Sequence, residues 1–226
     1  MNSVITYIFG KNKELLREPK VIDKDTEYIC VTDQKDLTSK TWKIIYEPME
    51  DIKSLRDKVV YVKFQPFKYT NAEKICVMDS SFEIICSLEK LFYYLEENKA
   101  VFKKHTNRKT LKDELPLWIN RGLRKETFEK FYRLAAYEHV NLEDVMEFEG
   151  CIFLLHNDKF CKELCETLID YMRFLGSDGN LIITNQCPLS YIIHQFYKEH
   201  IGIINFNIQK NFFIRYEHNT NEVNNT

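Results

Sequence analysis

Only 5 prolines and 6 glycines are spread along the 226 residues, so no linker-like boundary is evident before the last few positions. One continuous domain over residues 1–216 is the simplest reading. Net charge is almost absent too: 32 Lys and Arg stand against 34 Asp and Glu, a formal balance of -2. A surface built to bind a polyanion carries a large positive excess, so nucleic acid is not an expected partner. No run approaches the ~20 apolar residues of a membrane-spanning helix, and the opening MNSVITYIFGKNKE lacks the basic-then-apolar order of a signal peptide. The expectation is a cytoplasmic chain without a membrane span. The seven cysteines lack the paired spacing of a zinc motif, and most sit inside apolar runs. They read as buried reduced thiols, with Cys161 and Cys165 on one face of a helix.

What the chain does have is apolar and aromatic content, 44% and 14%, enough to fill a core. Short apolar runs at VITYIF (from Val4), YICVT (from Tyr28), KIIY (from Lys43), KICVM (from Lys74) and CIFLL (from Cys151) read as buried strands. Helical patterns lie between and after them: DIKSLRDKVVYVKF, SLEKLFYYLEEN with Ser87 as cap, LRKETFEKFYRLAAYEH, KFCKELCETLIDYMRFL and PLSYIIHQFY with Pro188 in its first turn. The segment IGIINFNIQKNFFIRY returns to strand character. Strands alternating with helices predict an α/β fold with a central mixed sheet flanked by helices. The polar, Asn-rich 217–226 reads as a tail or a linker to a further domain of the same polypeptide.

Ligands of open α/β sheets collect beyond the carboxyl ends of the strands, which draws attention to KICVMDSSFEI. There a buried strand ends at Asp79 and the chain turns polar at Ser80 and Ser81. A carboxylate at such an end can hold a divalent cation against a diphosphate; it can equally cap the following turn. His105 and Arg108 lie three apart past the strand-like AVFKK, followed by Asp113 and Glu114. Arg forks onto phosphate or sugar hydroxyls, although a solvated charged loop has the same composition. Glu149 precedes a strand and could hold sugar hydroxyls or stand exposed. Asn185 can cap the PLSYIIHQFY helix.

Six segments, taken in order, resemble one family of GT-A (Rossmann-like) glycosyltransferase-like domains with plant, bacterial polysaccharide-synthesis and viral capsid-glycosylating relatives. They are ITYIFGKNKELLREP, EYICVTDQKDLTSKTWKII, VKFQPFKYTNAEKICVMDSSFEI, KKHTNRKTLKDE, GCIFLLHND and ITNQCPLSYII, spanning most of the chain. The resemblance implies a hexosyltransferase-type enzyme that moves a hexose or a deoxyhexose such as rhamnose from a UDP-sugar donor to a glycan or glycoprotein acceptor, such as a viral capsid protein. A viral member would act in the host cytoplasm. It implies that Tyr7, Gly10 and Asp33 border the nucleoside and that Lys63 faces phosphate, where the residues alone also allow a core aromatic at Tyr7 and a solvated helix end at Lys63. His105, Arg108, Asp79 and Ser81 join the nucleotide-sugar site. A divalent cation, Mn2+ or Mg2+, would be held by Asp79, Ser81 and His218, with Ser81 standing where many GT-A enzymes have a second Asp. Catalysis would involve Gln186, Asn185 and Glu149.

The family often has Asp-Gln where this chain has Asn185-Gln186. An amide is no general base, so the substitution points towards retention of anomeric configuration, with Gln186 supporting the charge that develops at the anomeric carbon. Were the reaction inverting, the base would be sought at Glu147, Glu149 or His156. A sugar-nucleotidyltransferase needs a Gly-rich phosphate loop after its first strand, and Gly10 stands there alone. The other reading is a catalytically inactive carbohydrate- or protein-binding scaffold, which Ser81 and Asn185 favour.

Overall fold

The computed structural model describes residues 1–10, 16–120, 125–176 and 186–216. The apolar runs form seven strands of one mixed sheet: β1 (Asn2–Ile8), β2 (Thr26–Thr32), β3 (Lys43–Tyr46), β4 (Lys74–Met78), β6 (Ala100–Lys104), β7 (Phe148–His156) and β8 (Ile201–Ile204). Their order is β3-β2-β1-β4-β7-β6-β8. β7 runs antiparallel to β4 and β6, while the other neighbouring pairs are parallel. This is the mixed, helix-flanked α/β sheet that the sequence predicts. A small antiparallel pair, β5 (Phe82–Ile84) with β9 (Phe213–Arg215), lies apart from it.

Both faces of the sheet are covered, which is why its central strands read as nearly continuous apolar runs. Ile5, Tyr7, Ile29, Val77 and Phe153 face a core shared with α1 (Leu55–Phe64), α4 (Lys125–Tyr137), α5 (Lys159–Leu175) and α6 (Gln186–Ile192). Phe64, Phe153 and Phe102 stack through it, at centroid distances of 5.6 and 5.2 Å. Val4, Ile8, Cys76, Met78 and Leu154 face the other way, onto Leu88, Leu91 and Leu95 and onto the β5–β9 pair. The helix α5 starts where the Asp158 side chain accepts from the Cys161 amide and ends at Gly176. All seven cysteines are unpaired by disulfides, and burial pushes the Cys30, Cys76 and Cys161 thiols up to about 12.

Three segments depart from the sequence reading. SLEKLFYYLEEN forms only the short α2 (Glu89–Phe92) and a following 3-10 turn, although Leu88, Leu91, Phe92 and Leu95 are all buried, as the apolar face in the sequence requires. TLKDE, to which the sequence reading assigns no helix, leads into α3 (Leu111–Asn120), with Asp113 accepting from the Lys109 and Thr110 amides. IGIINFNIQKNFFIRY is interrupted by α7 (Phe206–Phe212), whose start is fixed by the Asn205 side chain accepting from the Ile208 amide. The pairing of β6 with β7 also breaks between Phe102 and Lys103, which jumps the register so that Lys103 stands opposite Glu149. Among the described residues, no helix is long and apolar enough to cross a membrane.

Candidate active site

One edge of the sheet gathers the carboxyl ends of β1, β2, β4 and β6 together with the start of the reversed β7. Gly10 follows β1 with φ +84, a left-handed conformation that L side chains rarely adopt. A Cβ there would also meet Leu55 Cδ1 at 2.7 Å. Its amide donates to Asp33 Oδ1 at 2.8 Å, and Gln34 Nε2 donates to its carbonyl at 3.0 Å. Lys58, in the first half of α1, stands 3.5 Å from Asp33 Oδ2. The result is a fixed, half-buried carboxylate beside a glycine that carries no side chain and whose amide and carbonyl are both engaged.

Next along the edge, Asp79 follows β4. The Tyr7 hydroxyl donates to Asp79 Oδ1, and Lys63 Nζ lies 2.9 Å from the same oxygen. Lys63 is therefore buried at the end of α1, not solvated. The Asp79 backbone carbonyl accepts from the Phe82 amide at 3.1 Å and closes the turn, while its carboxylate is engaged by Tyr7 and Lys63. Two residues on, the Ser81 hydroxyl is buried and has no hydrogen-bond partner. Its carbonyl accepts from the Tyr216 amide at 2.9 Å, which lays β9 against the turn and brings the half-exposed Arg215 to the edge.

Past β7 the groups are packed more deeply. Glu149 is buried and ion-paired to Lys103 at 2.6 Å; it also accepts from the Thr106 amide at 3.0 Å. Burial alone would raise its pKa, but the Lys103 ammonium, the Thr106 amide and the Cys151 thiol hold it down to about 2. Glu149 thus anchors the turn that carries His105 and Arg108. His105 Nδ1 accepts from the Asn107 and Arg108 amides at 3.1 and 2.9 Å. Arg108 reaches in two directions: its Nε lies 2.6 Å from Glu114 Oε2, and Nη2 donates to Gln186 Oε1 at 3.4 Å. Glu147 is sealed from solvent, and burial together with the Glu114 charge raises its pKa to about 8 against the opposing pull of Arg108.

No protein-family model and no curated protein sequence matches the chain. Among solved structures it is similar to the glycosyltransferase GlyE of Streptococcus pneumoniae TIGR4, with TM-score 0.48 and 11% identity over 89% of this chain and 44% of that one. The chain spans less than half the length of that structure. The likeness is one of overall shape and assigns no residue.

Tyr7, Gly10, Asp33, Lys63, Asp79 and Ser81 lie at or next to the ends of the neighbouring strands β1, β2 and β4 or at the end of α1 beside them, while His105, Arg108, Glu149 and Gln186 form a second group across β7. Asn185 and His218 lie outside the described residues. His156, considered as a base, is at the opposite edge of the sheet: it pairs with Lys74 at the start of β4, and its Nε2 lies 2.8 Å from the Leu95 carbonyl oxygen. Lys58, Lys103, Thr106 and Arg215 are members of the edge that sequence reasoning missed. Each has a partner far away along the chain, Asp33 for Lys58 and Glu149 for the other three, and no local spacing signals those contacts.

Proposed function

We propose that the chain transfers a sugar from a UDP-sugar to a glycan or glycoprotein acceptor. The observation that carries this reading is the row of groups at one sheet edge: the Asp33 carboxylate positioned beside Gly10, then Asp79 with the orphaned Ser81 hydroxyl, then Arg108 and Gln186. Asp33 can accept from uracil or ribose, and Lys63, Arg108 and Arg215 supply positive charge for a diphosphate. A divalent cation fits the second group, because the buried, unpartnered Ser81 oxygen lies two residues from a carboxylate with one oxygen uncommitted to Lys63. Asp79 and Ser81 would hold it, and when bound it would neutralise charge on the departing diphosphate. The donor reading extends to a hexose or deoxyhexose. UDP with Mn2+ should raise the melting temperature, and Asp33→Ala should weaken UDP binding about tenfold, the size of one lost charged hydrogen bond. An unchanged dissociation constant by calorimetry moves the nucleoside elsewhere.

Retention is the stereochemical course proposed. The described acids nearest Gln186 are not open bases: Glu114 faces Arg108, Glu147 is sealed from solvent and Glu149 is bound by Lys103. In a front-face reaction the departing diphosphate oxygen accepts the acceptor's proton, and Gln186, held by Arg108, supports the developing positive charge with its amide oxygen. Proton NMR of the first product should show the donor's anomeric configuration, and Gln186→Ala should lower kcat with little change in KM. An inverted product contradicts this course.

One observation favours a second reading, a binding module without turnover. Lys63 already occupies the position beside Asp79 Oδ1 where a cation would add its charge. Such a module would bind UDP-sugar without hydrolysing or transferring it.

A further inference from the structure

Beside Arg108, three side chains of metal-ligand type converge from separate elements: Glu114 of α3, Glu147 immediately before β7 and Cys187 of α6. One oxygen or sulfur from each lies within 4.8 Å of the others, and all three residues are fully buried. Glu147 is the informative member. Neither of its carboxylate oxygens has a hydrogen-bond partner, although no part of the residue reaches solvent. The hydroxyl of Ser190 is close by but committed, donating to the Gln186 carbonyl at 2.8 Å and accepting from the Phe148 amide at 2.9 Å. Buried carboxylates are ordinarily paired or bound to metal.

Ionised, the three ligands carry three negative charges with the Arg108 guanidinium beside Glu114, a cluster of the sign that draws a cation. We propose that Glu114, Glu147 and Cys187 form a buried zinc site, separate from the Asp79 edge. A thiolate beside two carboxylates suits zinc, which takes sulfur and oxygen ligands at about 2.0–2.3 Å in tetrahedral geometry; Mg2+ and Ca2+ take oxygen shells. Closing around the ion moves the ligand atoms about 1 Å together, within the reach of two Glu side chains. With no part of the ligands exposed, the ion enters as the chain folds. It would staple α3 and α6 to the start of β7, fixing the helices that hold Arg108 and Gln186. This inference does not depend on sugar transfer.

The test uses tag-free chain produced in zinc-supplemented medium and desalted, with metal measured by plasma mass spectrometry. About one zinc per chain is expected, retained in Asp79→Asn and lost in Glu147→Gln and Cys187→Ser. Refolding the unaltered chain with Co2+ in place of zinc should give a thiolate-to-cobalt charge-transfer band, a signature that needs no variant. Folded chain that holds no zinc and gives no such band overturns the proposal, and leaves Glu147 as a protonated acid beside Glu114. Zinc retained by Cys187→Ser, or lost from Asp79→Asn, overturns it as well, since the ion would then sit elsewhere.

Discussion

Asp79→Asn is expected to lower sugar transfer by about 100- to 1,000-fold, the size of losing one group that stabilises charge in a transition state. The amide keeps an acceptor for the Tyr7 hydroxyl, so the turn after β4 should persist. What is lost is the negative charge, and with it both the hold on a cation and the partner of Lys63, which sits almost wholly buried at 2.9 Å. Leaving that ammonium uncompensated costs about 1–3 kcal/mol, so the single variant should also melt lower. The double variant Lys63→Met/Asp79→Asn removes both charges and should regain most of the melting temperature without regaining activity. Turnover within tenfold of the unaltered chain at saturating Mn2+ would detach Asp79 from the chemistry.

The largest effect on stability is expected at Lys103. Its ammonium is buried against Glu149 at 2.6 Å, and removing one partner of a buried pair costs about 3–5 kcal/mol because the other charge stays enclosed. Lys103→Met should therefore unfold at much lower urea, while Lys103→Met/Glu149→Gln, with no charge left to enclose, should recover most of the loss. The pair also sets a pH window. In the folded chain Glu149 titrates near 2 against an ordinary 4.5, so its contribution is complete above pH 4.5 and is lost as pH falls from there towards 2. It amounts to at most about 3 kcal/mol. As pH falls across that window the unaltered chain should lose stability relative to the double variant. A difference independent of pH would mean that the pair does not hold the fold.

Much of the architecture is legible because burial on both faces leaves a plain mark. VITYIF, YICVT and KICVM could hardly be anything but interior strands, and KFCKELCETLIDYMRFL carries its own start and stop in Asp158 and Gly176. Where local signals compete, reading fails: NFNIQKNFF is rich in the aromatic and β-branched residues of strands, yet Asn205 caps it into a helix. Gly10, Asp33 and Asp79 are legible for a topological reason, since each follows an apolar run and the ends of parallel strands share one edge. The Lys103–Glu149 pair is not. It joins residues 46 apart, and they meet only because β6 and β7 slip register beside Phe102. Nor does any spacing announce Glu114 and Glu147, brought together by a helix and a strand end that the chain reaches separately.

That slip also gives β6 two ladders. Up to Phe102, β6 is held by β7 on one side and β8 on the other, and its amides can exchange with solvent only when the body of the sheet opens. Beyond Phe102 the ladder to β7 resumes at Lys103 and Lys104 and runs on through the His105 amide on the Glu147 carbonyl, the Glu147 amide on the Lys109 carbonyl and the Thr110–Met146 bridge, so the stretch that carries Arg108 is bound to the start of β7 in a second, shifted register. The guanidinium that reaches Gln186 is thus mounted on the shifted ladder, while Asp33 follows the unbroken β1–β2 ladder, so a substitution that restores a continuous β6–β7 register should move Arg108 and leave Asp33 in place.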